Sequence, residues 1–393
     1  MNRSLRLAAI CAATAVLGTT YVFTKGADPA PLTVHEWGTF TSVANADGTA
    51  ATWQTLSNAS DLPCFVERIK LGVKGEVPGT VRMETPVLYF YTSQDTTVNV
   101  SVRFLGGLVT EWFPRAAVTP DLLHAGALAP PDVESRITWM NVRIRPGASP
   151  AFPAGTDRSH YYAARETDAA PLESGADQEK FLFYRGIGRF PPPLTATIRP
   201  DGSVDVRSVS SEPVGTIVFF ENRRGTIGYR IARSASHQLT IEQPSGSGGD
   251  LAGLQRELER VLAAQGLYEK EAAAMVATWR DSWFEEGARL FYIAPKSLVD
   301  AVLPLQITPN PTEVARVFVG RVELVTPRTM QDVKEAVVAN DFNGFASYQR
   351  FMGPITARIR AEASPTERPA WDRRVREAYT SYYQRRTPPA SCK

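Results

Sequence analysis

The chain has few of the residues from which metal and redox sites are built. Its 393 residues include three cysteines and four histidines. No CxxC pair occurs, which removes zinc ribbons and thioredoxin-like motifs. His35, His124, His160 and His237 are far apart, with no two at ligand spacing, so no metal and no cofactor is expected. Charge of one sign is also lacking. The 43 basic and 41 acidic residues leave a net charge of +2, without the basic stripe that nucleic acid demands. No GxSxG elbow and no phosphate-binding loop is present. The GxG in "YRGIGRFPPP" has no third glycine, and three prolines bar the helix that a dinucleotide site needs.

Long apolar runs are rare too, and the one present is informative. Arg3 and Arg6 precede a nearly unbroken apolar stretch from Leu7 to Phe23, followed by Lys25, Gly26, Asp28 and two prolines. This is the layout of an export signal. At 17 residues the run is short for a bilayer span, so residues 1–30 are read as a signal peptide or an N-terminal membrane anchor. The expected location is periplasmic or extracellular, free or tethered to the inner membrane of a bacterial envelope. Cys11 lies inside that segment. Cys64 and Cys392 are then the remaining pair, and an oxidising compartment would permit a bridge between them.

The rest is globular: 43% of residues are hydrophobic and 10% aromatic. "TVNVSVRF" (97–104) alternates strictly, the signature of a half-buried strand. Gly106-Gly107 and "LVTEWFP" follow, predicting a hairpin. "VRMETPVLYFYT" (81–92) is a further strand, with Pro86 arguing for an edge or a break. Turn signals at Pro200-Asp201-Gly202 and Asn222–Gly225 predict two more hairpins. Residues 31–243 therefore read as an antiparallel β-sandwich-like region. "PSGSGGD" (244–250) reads as a linker. Residues 251–393 read as mixed and helix-rich, with helices near 251–265 and 269–287 and a break or kink at Pro354. The expected class is α+β.

Four residues are candidates for chemistry. "VHEWGTF" (34–40) begins like the zinc-protease motif HExxH, but position 39 is Thr and the flanks favour a strand. His35 and Glu36 then face opposite ways. The stretch "TWRDSWFEEGARLFYIAP" (278–295) is denser. On a helix, Met275, Trp279 and Trp283 share a face, with Glu286 beside it and Glu285 about 100° round. A carboxyl held against indoles has a raised pKa, as a general acid needs. The competing reading pairs Glu286 with Arg289 beside an ordinary core. Glu84, Glu111 and Glu221 sit in or beside aromatic strands, and two of them at the right separation would suit glycoside hydrolysis.

No catalytic motif is complete. The expectation is an exported bacterial envelope protein of binding or structural type, with an unidentified ligand or envelope component as partner. The alternative is an exported hydrolase acting on polysaccharide or peptide by carboxylate acid–base chemistry.

Overall fold

Alternation places Val98, Val100, Val102 and Phe104 of the Thr96–Phe104 strand on one side, and all four are fully buried. The computed structural model describes residues 31–55, 62–69, 78–120, 134–155, 159–244 and 249–385. The expected export segment 1–30, Cys11, and the Cys64–Cys392 bridge through Cys392 lie outside the described residues; Cys64 itself is exposed. No helix among the described residues is long and apolar enough to cross a membrane.

Mixed sheets and helices give an α+β fold. The larger sheet has nine strands, running from edge to edge as Thr226–Ser234, Gly215–Arg223, Gly287–Ile293, Glu313–Leu324, Thr33–Val43, Val81–Tyr91, Leu182–Gly188, Gly107–Phe113 and Glu67–Arg68. Thr33–Val43 is buried along its length after Thr33. It pairs in parallel with Glu313–Leu324 and antiparallel with Val81–Tyr91. A strand covered on both faces needs a ladder on both edges, because its backbone groups have no water to turn to.

That requirement explains why residues 244–250 do not divide the sheet. Gly287–Ile293 and Glu313–Leu324 come from beyond that segment yet stand in the middle of the order. The hairpin expected through Gly106 is also absent. Thr96–Phe104 instead pairs with Ser135–Ile144 and Leu305–Thr308 in a second, six-stranded sheet, while Gly107–Phe113 joins the first. Gly106, at φ 67°, turns the chain from one sheet to the other. The hairpins Leu194–Ser208 and Gly215–Ser234 form as expected.

Three apolar clusters hold the layers. One joins the inward residues of both sheets, including Val98, Trp139, Phe90 and Phe318. The second packs the other face of the large sheet, through Trp37, Tyr89 and Phe183, against helices Leu251–Ala263 and Glu269–Trp283. The third joins Val43 and Trp53 to helices from Pro327 onward. The break expected near Pro354 falls just before it: the helix Phe342–Ser347 ends, a 3-10 turn follows, and Pro354 sits in the first turn of Met352–Glu362, where a missing N–H costs nothing.

Two pairings between central strands are irregular. Register shifts opposite Gly38 at Thr85–Pro86, where Thr85 takes φ 47°. It shifts again next to Arg185. Pro86 is therefore not at an edge but in a bulge, the other place a sheet tolerates it. Bulges re-aim the side chains beside them.

Candidate functional site

The four residues singled out from the sequence fall in four separate environments. His35 is buried on the helix side of the sheet, with Nδ1 2.6 Å from Glu271 Oε2. Glu271 is the third residue of Glu269–Trp283, and its carboxylate also accepts the Tyr268 backbone N–H (2.8 Å) and the Tyr91 hydroxyl (2.8 Å). This capping box fastens the helix start to the central strand. Glu36 points into the other core. It accepts the Arg316 Nε–H at 2.5 Å and the Tyr184 hydroxyl. Arg316 is completed by Asp300 (2.8 Å) and the Leu303 carbonyl (2.9 Å). Both side chains are buried and tied to partners across the core.

Glu286 does not lie on a Trp-lined helical face. The helix stops at Trp283, and Glu285 and Glu286 occupy the turn before Gly287, which has φ 115°. Arg289, wholly buried, fixes this turn. It donates to the carbonyls of Trp283 (2.9 Å), Glu285 (2.6 Å) and Glu286 (2.7 Å), and its Nε meets Glu323 Oε2 at 2.9 Å. The expected side-chain pair between Glu286 and Arg289 is thus replaced by a clamp on the backbone. The Glu286 carboxylate accepts the Arg224 backbone N–H at 2.8 Å and borders a depression shared with Asp332, Glu335 and Asp341. Burial pushes its carboxyl up, and the neighbouring Asp332 adds to the effect against the Arg224 contact.

Glu285 turns the other way, into a different cleft of about 270 Å³. The bulged strands supply Arg82, Glu84 and Arg185; the end of the long helix supplies Thr278, Trp279, Asp281 and Ser282; residues 346–350 supply Gln349 and Arg350; and His160 stands opposite. Glu84, 2% exposed, accepts the Thr41 hydroxyl (2.9 Å) and the Arg350 guanidinium, with Arg82 Nε at 3.4 Å. Burial opposes its charge, but Arg350, Arg82, Arg321 and Arg185 outweigh burial and hold the carboxyl below its ordinary range. Glu285 is anchored by Arg321 Nη2 at 2.7 Å, and Arg321 also meets Glu323 at 3.0 Å. At the mouth, His160 Nε2 is 2.6 Å from Asp281 Oδ2.

Trp279, Ser282 and Gln349 line this cleft, but their Nε1, Oγ and Nε2 atoms are buried within its wall and meet no acceptor among the described residues. The indole N–H groups of Trp37, Trp53 and Trp283 and the hydroxyls of Thr39 and Thr55 share that state elsewhere. A buried donor without a partner costs about 1–3 kcal/mol, so such groups call for an explanation.

Sequence reasoning reached Glu84 and Glu285 but missed Arg82, Arg185, Gln349 and Arg350. "VRMETP" and "YRGIG" offered one signal, a charged residue next to a strand-breaking proline or glycine, where bulges re-aim side chains. Nothing in "ASYQRF" marked Gln349 and Arg350. No group of three or more His, Cys, Asp or Glu side chains among the described residues could hold a metal ion. No family model matches the chain, and no curated protein does. Among solved structures the chain is similar to the yeast delta-COP-I mu-homology domain, at 10% identity over 76% of this chain and 97% of that one, with a TM-score of 0.29, too low to carry an argument.

Proposed function

We propose that this is an exported binding protein of the bacterial envelope that holds a small polar ligand in the cleft between Arg82, Trp279, Ser282 and Arg350. One observation carries the reading: Arg82, Arg185 and Arg350, together with Glu84, Glu285 and Trp279, line a single concave opening. Ligand sites are concave and carry a few convergent polar groups, and this cleft has both properties. The Arg3–Arg6 cluster and the apolar run after it support export. The core shared by the two sheets supports a sandwich-like arrangement of the β-rich part. A thermal-shift screen of the full chain against sugars, organic acids, phosphate esters and amines tests the binding. The expected result is stabilisation by one chemical class, lost in Ser282→Ala. No stabilisation by any class overturns the reading. Fractionation of cells tests export, and protein confined to the cytoplasm would contradict it.

One observation favours a second reading, a carboxylate hydrolase. Glu286 shares its depression with other carboxylates, and its carboxyl is raised by burial. A raised group stabilises the fold only below its unfolded value and loses that contribution as pH rises through its folded value. Glu286→Gln should therefore be at least as stable as the parent at pH 7. The hydrolase reading requires that activity found on a polysaccharide or peptide panel disappear in that variant; the binding reading expects none to be found.

A further inference from the structure

The near-neutral total of the chain hides a local excess of positive charge. Residues 373–393 hold six basic residues and one acidic residue, although the whole chain carries only +2. The described part of that excess lies on one helix, Arg368–Arg385, about 27 Å long at its 18 residues. Trp371, Ala378 and Tyr382 of this helix are buried in the apolar cluster beneath it, and Val375 and Tyr379 pack against that cluster. Arg373 and Arg376 stand on the opposite face, Arg374 on its flank and Arg385 in the last turn, all exposed. Arg376, Thr380 and Tyr383, at i, i+4 and i+7, form one row. Tyr383 is 50% exposed, with its ring stacked on Tyr379. The arginines of the neighbouring helices are matched: Arg328 meets Asp332, Arg358 meets Glu362 and Arg360 meets Asp372. Arg368 donates to the carbonyls of Ala361 and Ala363. No ion pair or side-chain hydrogen bond engages the guanidinium groups of Arg373, Arg374, Arg376 and Arg385 among the described residues. Exposed Glu377 offsets one of these four charges.

We propose that this helix face docks on an anionic phospholipid surface, with Arg373, Arg374 and Arg376 against the headgroups and Tyr383 beside them. Clusters of about four or more basic side chains draw a protein to anionic lipid. A ring with a polar tip settles at the level of the headgroups. The four arginines give up no ion pair on docking, because they hold none. The helix does not insert, since its apolar side is committed to the core. The attraction is therefore electrostatic and weakens as salt rises. Nucleic acid is the other polyanion that a basic face attracts. The choice of lipid over nucleic acid rests on the export reading, because an exported chain meets a membrane surface.

Footprinting of the full chain tests this. Phenylglyoxal modifies exposed guanidinium groups, and mass spectrometry reads each site. Vesicles of phosphatidylcholine alone are compared with vesicles in which phosphatidylglycerol makes up about a third of the lipid. The comparison isolates charge, because any contribution of the apolar run Leu7 to Phe23 is common to both. Phosphatidylglycerol should slow the modification of Arg373, Arg374, Arg376 and Arg385 at least about fivefold at low salt, and high salt should abolish the effect. Arg207, exposed on the strand Val204–Ser208, should react equally in both. The triple variant Arg373→Gln, Arg374→Gln, Arg376→Gln should lose the protection of Arg385. The corresponding triple substitution to Lys should keep it, since a lipid surface reads charge and not the guanidinium fork. Equal reactivity in the two lipids, equal protection of Arg207, or protection of Arg385 that survives in the glutamine variant overturns the inference. If duplex DNA protects these arginines more than the vesicles do, the face is a nucleic-acid site and the inference falls. Cell fractionation tests export separately: a negative footprint leaves the export reading standing, and a positive footprint on a cytoplasmic protein rejects export while the docking face stands.

Discussion

Glu84 shows how much of a residue's role depends on segments the local sequence cannot reveal. Its motif, "VRMETP", announces a carboxylate beside a strand irregularity. Its partners are Thr41, Arg82 and, 266 residues away in sequence, Arg350. The same holds for Glu36 and His35. Alternation puts them on opposite faces of one strand, as the structure confirms, but Arg316 and Glu271 are 280 and 236 residues distant. The pKa of Glu84 makes a prediction at this scale. A carboxyl held low in the folded state stabilises the fold fully above its ordinary value of 4.5 and loses that contribution as pH falls below it. Glu84→Gln should lower stability at neutral pH and flatten the fall in stability below pH 4.5, as followed by urea unfolding across pH. An unchanged acid slope would mean that Arg350 and Arg82 do not hold the charge.

At the scale of elements, periodicity locates most strands and helices, and the errors share a cause. A turn signal marks where the chain reverses, not what it pairs with next. Gly106 turns the chain as expected, yet Thr96–Phe104 goes to one sheet and Gly107–Phe113 to the other. The sequence reads as helical from 269 to about 287. The helix itself ends at Trp283, because Arg289 takes the carbonyls of Trp283, Glu285 and Glu286. That early stop directs Glu285 into the cleft and Glu286 away from it. The bulged strand Leu182–Gly188 depends on Gly186. A Cβ there would collide with the Phe104 ring and the Leu108 carbonyl. Gly186→Ala should destabilise the protein by about 1–3 kcal/mol, the range for overpacked cores, and weaken ligand binding by displacing Arg185. Equilibrium unfolding and titration of the variant check both parts.

At the scale of the molecule, the α+β class was legible from the distribution of strands and helices, whereas the sheet order was not. The parallel pairing of Thr33–Val43 with Glu313–Leu324 joins the beginning of the described chain to a segment near its end. No local pattern encodes that choice. It follows from the need of a doubly covered strand for ladders on both edges. Residues 31–243 expressed alone should therefore fail to give a dispersed amide spectrum, since Thr33–Val43 would lose one neighbour and the Trp37 face its covering helices. A well-dispersed spectrum from that fragment would refute the role given to the later strands. The cleft inherits this long-range construction: its walls come from the bulged strands, the end of one helix and residues 346–350, and it exists only when all are assembled. The most direct test of the account observes a side chain that lines the cleft. With the chain's seven tryptophans labelled, the Trp279 indole N–H signal can be assigned through Trp279→Phe and followed as sugars, organic acids, phosphate esters and amines are added. The account predicts that at least one of these classes moves the Trp279 signal while that of Trp37, in the sealed core, stays in place; a Trp279 signal that none of them moves would contradict it.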